Sequence, residues 1–198
     1  MALADLFANN VLVRLVTGDK ARYALAVSLI GVQTGERVLL VGSGDGVLLA
    51  ALAAKAGLSG HVCGIDEHPG SAPRAEAVAA KAGVLVDVRE QPHYDSLPFD
   101  DGAFDVVAVR PQGSLADEGR LGSVLVEVYR TLRPGGRVTL VIEQTRSGLA
   151  GMLASREAAP ARTVADITRL TDAGFRGARL LAARDGWAFV EGARPGRQ

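Results

Sequence analysis

Short unbroken apolar runs alternate with stretches of helical period along most of this chain, and that alternation sets the expected architecture. Val38-Leu39-Leu40-Val41 is four apolar residues in a row, which reads as a strand buried on both faces. Residues 47–56, rich in Ala and Leu, predict a helix whose end is punctuated by Gly57 and Gly60, and His61–Asp66 predicts a second strand. Ten helical residues reach about 15 Å, enough to run back along a sheet, so the right-handed crossover rule makes the second strand parallel to the first. Onward, the pattern predicts a helix over 72–82, strands over 84–88 and 104–109, a helix over 122–132 and a strand over 137–142. Alternation of this kind means an α/β domain with a parallel sheet covered on both faces. The end differs: residues 178–184 and 187–193 are joined by Asp185-Gly186, a dipeptide favouring a two-residue hairpin turn, so one strand is expected to oppose the rest. Before the first strand, Leu3, Leu6, Phe7, Val11, Leu12 and Leu15 recur at helical spacing and predict one or two helices within the first thirty residues.

Composition narrows the picture. A chain of 198 residues with 48% apolar content can bury one substantial core, and a single domain is expected. Within it, residues 1–30 form a helical segment covering the pocket, 31–193 the core and 194–198 a flexible tail, with looseness expected to set in from Gly192. Net charge is zero and no block of like charges occurs, which argues against a nucleic-acid footprint or a polybasic membrane anchor. The one cysteine, Cys63, has no partner for an internal disulfide, and Asp5, Arg14 and Asp19 interrupt the start of the chain. With no apolar run near the roughly 20 residues that span a bilayer, a cytoplasmic protein without a membrane span is expected.

The chemistry concentrates where the first strand ends. Gly42-Ser43-Gly44-Asp45-Gly46 lets the backbone turn sharply and pass against a ligand with no Cβ in the way, and the helix that follows presents free N–H groups to it. A dinucleotide fingerprint places its third glycine three positions after the second, but position 47 is Val, so NAD is the weaker candidate. The crossover puts Asp66, at the end of the second strand, in the same crevice. A carboxylate there suits the two hydroxyls of a ribose.

Five stretches taken in order carry a family likeness: Val38 to Gly46; Val62-Cys63-Gly64-Ile65-Asp66; Leu97-Pro98-Phe99 through Phe104-Asp105-Val106-Val107; Glu127 through Leu132-Arg133-Pro134-Gly135-Gly136-Arg137; and Ala173-Gly174-Phe175. Together they resemble the class I S-adenosylmethionine-dependent methyltransferases, in particular the branch that includes the ubiquinone and menaquinone biosynthesis enzymes. The resemblance implies a Rossmann-like doubly wound sheet of seven strands, mostly parallel with one antiparallel strand in the C-terminal hairpin. It implies S-adenosylmethionine as cofactor and methyl transfer to a small-molecule acceptor, with no metal. Gly42, Ser43, Gly44 and Gly46 would lie along the methionine part of the cofactor, Asp66 on the ribose, and Glu67 and His68 beside ribose and adenine. His93 and Tyr94 stand where relatives place an Asp for the adenine amino group and a small residue after it. Leu40 stands where the family commonly has an acid.

The leaving group is built into that cofactor, so alignment supplies much of the catalysis and no protein nucleophile is required. No catalytic residue is assigned; His68, His93 and Tyr94 are the candidate bases. Acceptor selection is expected at the carboxyl ends of the fourth and fifth strands, where Arg110, Gln112, Glu143 and Gln144 fall and where a guanidinium could clamp a carboxylate or phosphate. Phe7 and Tyr23 either cover the pocket or pack in the core. Gly42 to Gly46 and Asp66 are expected to border one concave site with His93 and Tyr94 on its rim. The alternatives are a noncatalytic cofactor-binding or scaffold protein on the same fold, and a nucleotide-dependent oxidoreductase resting on the glycine-rich turn alone.

Overall fold

In the computed structural model, which describes residues 22–143, 158–184 and 186–196 (158–161 in backbone only), the sheet is built outward from one central strand. That strand is β1, Arg37–Val41, and it pairs in parallel with β2, His61–Asp66, on one side and β4, Phe104–Val109, on the other. With β3 (Asp87–Glu90), β5 (Leu132–Glu143), β6 (Arg176–Arg184) and β7 (Trp187–Ala193) the seven-stranded order is β3-β2-β1-β4-β5-β7-β6. β7 runs antiparallel between β5 and β6, which gives the opposed strand that the Asp185-Gly186 turn predicts. The helices are α1 (22–30), α2 (Val47–Ala56), α3 (Ser71–Lys81), α4 (Glu118–Thr131) and α5 (Ala158–Asp172), with a 3₁₀ turn at Gly113–Ala116. None is long and apolar enough to cross a membrane. The periodic residues from Leu3 to Leu15, Phe7 among them, lie outside the described residues, as do Gln144 and Asp185.

Alternation along the buried strands divides the apolar residues between two faces. Leu39, Val107 and Val138 join Leu125, Val128 and Phe175 in one core, while Leu40, Val106 and Val141 join Ile30, Leu49, Leu52 and Trp187 in the other. Leu40 is fully buried, so the position that the family commonly gives to an acid is a packing position here, where an unpaired carboxylate would be costly to desolvate.

Several boundaries differ from the sequence pattern for identifiable reasons. β3 starts at Asp87, where pairing with Cys63 begins; Val84 to Val86 carry the chain back from α3 and leave Leu85 exposed. α4 starts four residues earlier than the periodicity predicts because the Asp117 carboxylate accepts the Arg120 N–H at 3.0 Å and caps it. β5 begins at Leu132, paired with Phe104, then slips register before Arg137 pairs with Val106. The Arg-Pro-Gly-Gly run is thus a bulge within the strand, which its proline and glycines suit. α5 is a helix to which the sequence reading assigned nothing. Within the expected loose end, Gly192 and Ala193 belong to β7, and the Arg194 guanidinium donates to the carbonyls of Tyr129, Arg130 and Leu132.

An ionic cluster around Asp105 ties the starts of β1 and β4 to the bulge of β5. Asp105 accepts the Arg37 N–H at 2.7 Å and the Arg133 Nε–H. Burial pushes its carboxyl up, but those donors and the two guanidinium charges outweigh burial and hold it below the ordinary carboxylate value. A carboxyl depressed in the folded state stabilises the protein above its unfolded pKa of about 3.9, and that contribution is lost as pH falls through the folded value. Asp105→Asn is therefore expected to lower the melting temperature at pH 7 and to flatten its decline below about pH 4. Melting curves from pH 2 to 7 check this, and a variant whose acid limb parallels the wild type would refute the assignment.

Candidate cofactor site

Register brings three chain exits to one edge of the sheet. Val41 pairs with Ile65 on one side and Val109 on the other, so the next residues, Gly42, Asp66 and Arg110, leave the carboxyl ends of β1, β2 and β4 side by side. β5 ends nearby at Glu143, which lies opposite Trp187 at the start of β7.

The glycine turn is shaped by its neighbours. Gly42 and Gly46 both take positive φ, 78° and 80°. A Cβ on Gly42 would stand 2.7 Å from the Arg110 carbonyl oxygen, and one on Gly46 would stand 2.5 Å from the Ala75 Cα, so adjacent backbone excludes a side chain at either position. At Gly44 the nearest group is a side chain, Arg110 Nη1 at 3.1 Å. Ser43 does not face this crevice. Its Cβ lies against Gly64, and its buried hydroxyl has no hydrogen-bond partner among the described residues.

Asp66 is the electrostatic centre of the site. Its side chain is 5% exposed; Oδ2 accepts the Gly44 N–H at 2.7 Å, and Oδ1 accepts the His68 N–H at 3.0 Å and faces His68 Nδ1 at the same distance. Burial raises the carboxyl's pKa, and the Gly44 and His68 donors more than reverse it, so the net displacement is downward and Asp66 is ionised at neutral pH. The predicted meeting of the glycine turn with the acid one strand over is thus a direct hydrogen bond. Gly44, Asp45, Asp66 and His68 line a cavity of about 240 Å³ with Ser71 and Arg74. The last two were missed by sequence reasoning. Their signal was Gly70 opening a helix that points its first turn at the acid.

Glu67 crosses from β2 to the loop after β4, where its Oε1 accepts the Ser114 N–H at 2.7 Å. Burial raises its carboxyl, and the Ser114 bonds together with the charge of His68 bring it below the ordinary value. His93 is exposed, on a loop shaped by Gln91 Nε2, which donates to the His93 and Ser96 carbonyls. Tyr94 does not stand on the rim. It is buried in the core with Ile65, Leu97 and Leu115, its hydroxyl against the Glu67 backbone, and burial together with the Asp66 charge pushes the phenol's pKa well up. An apolar core is a favourable place for the ring, with its polar tip at the Glu67 backbone. The described residues therefore bring Gly44, Asp66 and His68 together at the cavity, set Glu67 beside them, and place Gly42 and Gly46 behind the turn.

On the β4 and β5 side, Arg110 Nη2 donates to Glu143 Oε1 at 2.8 Å. Tyr23 of α1 reaches over the turn, its hydroxyl 3.4 Å from Asp45 Oδ2 and its ring edge-on to Trp187 at 5.3 Å. Of its two expected roles, the ring serves both, half-buried in the core with its tip at the site. Away from the site, His61, Cys63 and Asp87 hold potential ligand atoms within 4.8 Å of one another. Burial pushes the Cys63 thiol up to about 11, and Arg89 lies 3.7 Å from Asp87.

With this geometry in place, similarity to known proteins is informative. The family description "Methyltransferase domain" matches residues 38–136, half of the chain. The ubiquinone/menaquinone biosynthesis C-methyltransferase of Idiomarina loihiensis is 31% identical over 121 residues, 61% of this chain and 47% of that protein. The ribosomal protein L11 methyltransferase of Thermus thermophilus is 35% identical over 123 residues, 62% of this chain and 44% of that protein. The chain thus spans about half the length of the curated relatives it matches. A SAM-dependent methyltransferase from Aquifex aeolicus superposes with a TM-score of 0.68 at 21% identity, covering 86% of this chain and 88% of its own, which shows a shared fold. The family match runs from the first strand through the Arg-Pro-Gly-Gly bulge, and the sheet around it has the seven strands and the antiparallel strand that the resemblance implied; the chain belongs to the class I S-adenosylmethionine-dependent methyltransferase family.

Proposed function

We propose that this chain binds S-adenosylmethionine across Gly42–Gly46, with the ribose at Asp66, and transfers its methyl group to a small molecule held at the carboxyl ends of β4 and β5. The observation that carries the reading is the Asp66 carboxylate, ionised, almost fully buried and bonded to Gly44 at the wall of a cavity. The residues present fit that donor. Asp66 Oδ2 holds a single donor and retains acceptor capacity for a hydroxyl, Oδ1 can take a second one in place of the exposed His68 ring, and the buried Ser71 hydroxyl beside it has no partner among the described residues. When bound, the sulfonium supplies an activated methyl group with its own leaving group. The chain's part is to orient: Asp66 fixes the nucleoside, Gly44 and the start of α2 set its depth, and Tyr23 with Arg110 and Glu143 bounds the side on which an acceptor enters. Relatives named for a quinone pathway and for a ribosomal protein show that family membership alone does not choose the acceptor. A net charge of zero and three carboxylates on this rim, Asp45, Asp66 and Glu143, favour a small ligand over a nucleic acid.

A noncatalytic scaffold on the same fold draws on one observation, that both Asp66 oxygens already hold internal donors. Thermal denaturation separates the two. Saturating S-adenosylhomocysteine is expected to raise the melting temperature by about 5–10 °C, the size that a hundredfold excess over Kd gives a protein of this length, while NAD leaves it unchanged. An unmoved transition would overturn the methyltransferase reading.

A further inference from the structure

Arg110 is the one buried cation among the described residues, 4% exposed, and most of its hydrogen-bonding capacity is unused. A guanidinium carries five N–H donors. Nη2 serves Glu143, while Nε and Nη1, both shielded from water, find no acceptor among the described residues. The other clustered arginines of this protein behave differently. Arg137 gives Nε to the Ile30 carbonyl and its Nη atoms to Glu36 and the Gly31 carbonyl, and Arg130 engages all three nitrogens. Leaving guanidinium donors buried and unmet costs stability, so their persistence needs an acceptor that arrives from outside. Their place is the crevice itself: Nη1 lies over the open side of Gly44, and a second buried donor without an acceptor, Trp187 Nε1, belongs to the residue paired with Glu143.

Building on the donor site proposed above, we infer that Arg110 is the receptor for a ligand carboxylate, with Glu143 positioning its guanidinium through Nη2. With one Nη2 hydrogen committed to Glu143, one forked face of the guanidinium stays open, and a planar carboxylate matches such a fork. A phosphate dianion suits the place less, because Asp45, Asp66 and Glu143 already face this edge and Arg110 is the one buried counter-charge. The carboxylate has two possible sources, the amino-acid end of the methyl donor or the acceptor, and their shared chemistry is what Arg110 reads.

The test uses calorimetry and melting curves on the full chain with three probes: S-adenosylhomocysteine, which carries the amino-acid carboxylate; 5′-methylthioadenosine, which lacks it; and benzoate, with and without nucleoside. If the donor supplies the group, Arg110→Met weakens S-adenosylhomocysteine about 10- to 100-fold and leaves 5′-methylthioadenosine unchanged. If the acceptor supplies it, both nucleosides bind as before and the variant loses benzoate. A variant that alters neither overturns the inference. The ligand-free variant is expected to melt lower than the wild type because Glu143 loses its partner, so the deciding readouts are the ratio of the two nucleoside affinities and the binding of benzoate, which a merely structural arginine would leave unmoved. Arg110→Lys, which keeps the charge and loses the fork, is expected to weaken the same probe about tenfold and decides the matter should the Met variant fail to fold. Wild-type protein that binds neither nucleoside would sink the donor site instead, while benzoate alone still reports on Arg110.

Discussion

Asp66→Ala is expected to abolish the thermal protection given by S-adenosylhomocysteine and to weaken its binding by about 100-fold or more. Two hydroxyls of a ribose donating to one buried carboxylate are charge-assisted bonds, each contributing about 1.5–3 kcal/mol, and alanine removes both. The substitution also acts on the ligand-free protein. Gly44 loses the acceptor for its N–H, and the His68 backbone and ring lose theirs, on a side chain only 5% exposed. The Gly44 N–H then sits unmet at a turn that has no other described acceptor for it, at a cost of about 1–3 kcal/mol. Asp66→Asn separates the two effects. Its carbonyl can still accept from Gly44, so the ligand-free melting temperature recovers in part, whereas the lost charge keeps binding weak. Calorimetric Kd values and melting curves of the three proteins side by side measure this, and an alanine variant that kept its protection would remove Asp66 from the site.

The glycine turn and Asp66 were legible because each is local, one residue past a strand, and because the handedness of a single βαβ crossover sets them side by side. Residues governed by packing across long separations were not. Tyr94 lies in a segment without period between β3 and β4, and nothing in its neighbourhood says that the ring folds under Glu67. The expectation for Ser43 likewise followed its place in the glycine motif, while its side-chain direction follows from Gly64 on the neighbouring strand, whose missing Cβ makes the space. Strand ends failed where register slips: the Leu132–Gly136 bulge reads as a helix end because proline and paired glycines serve either purpose. Arg110 was visible as a cation at a strand end, but its unmet donors follow only from burial.

The least legible device is the one that joins the Leu-Pro-Phe run to α4, and Arg130→Ala is expected to destabilise the protein by about 3 kcal/mol. Arg130 donates through Nε and Nη2 to the two oxygens of Glu127, and through Nη1 and Nη2 to the carbonyls of Phe99 and Leu97 at 2.8 and 2.9 Å. Glu127 returns the contact by accepting the Leu97 N–H at 2.9 Å. The Leu-Pro-Phe run is thereby clamped to α4 across thirty or more positions of sequence. Hydrogen bonds from Arg130 hold the Glu127 carboxyl below its ordinary value against a smaller opposing effect of burial, so the pair is fully charged at neutral pH. Removing the guanidinium leaves a partly buried carboxylate and two carbonyls without their donor, the case in which breaking a pair costs more than its attraction contributed. At about 2–4 °C per kcal/mol for a chain of this length, the melting temperature is expected to fall by roughly 6–12 °C. Asp101→Ala is the internal control: its side chain is 79% exposed, and a solvated ion pair of that kind contributes little. A double-mutant cycle between Arg130 and Glu127 then distinguishes a clamp from a surface pair. Coupling near zero, or an Arg130→Ala loss no larger than that of Asp101→Ala, would mean that the Leu-Pro-Phe run is held by its apolar contacts alone.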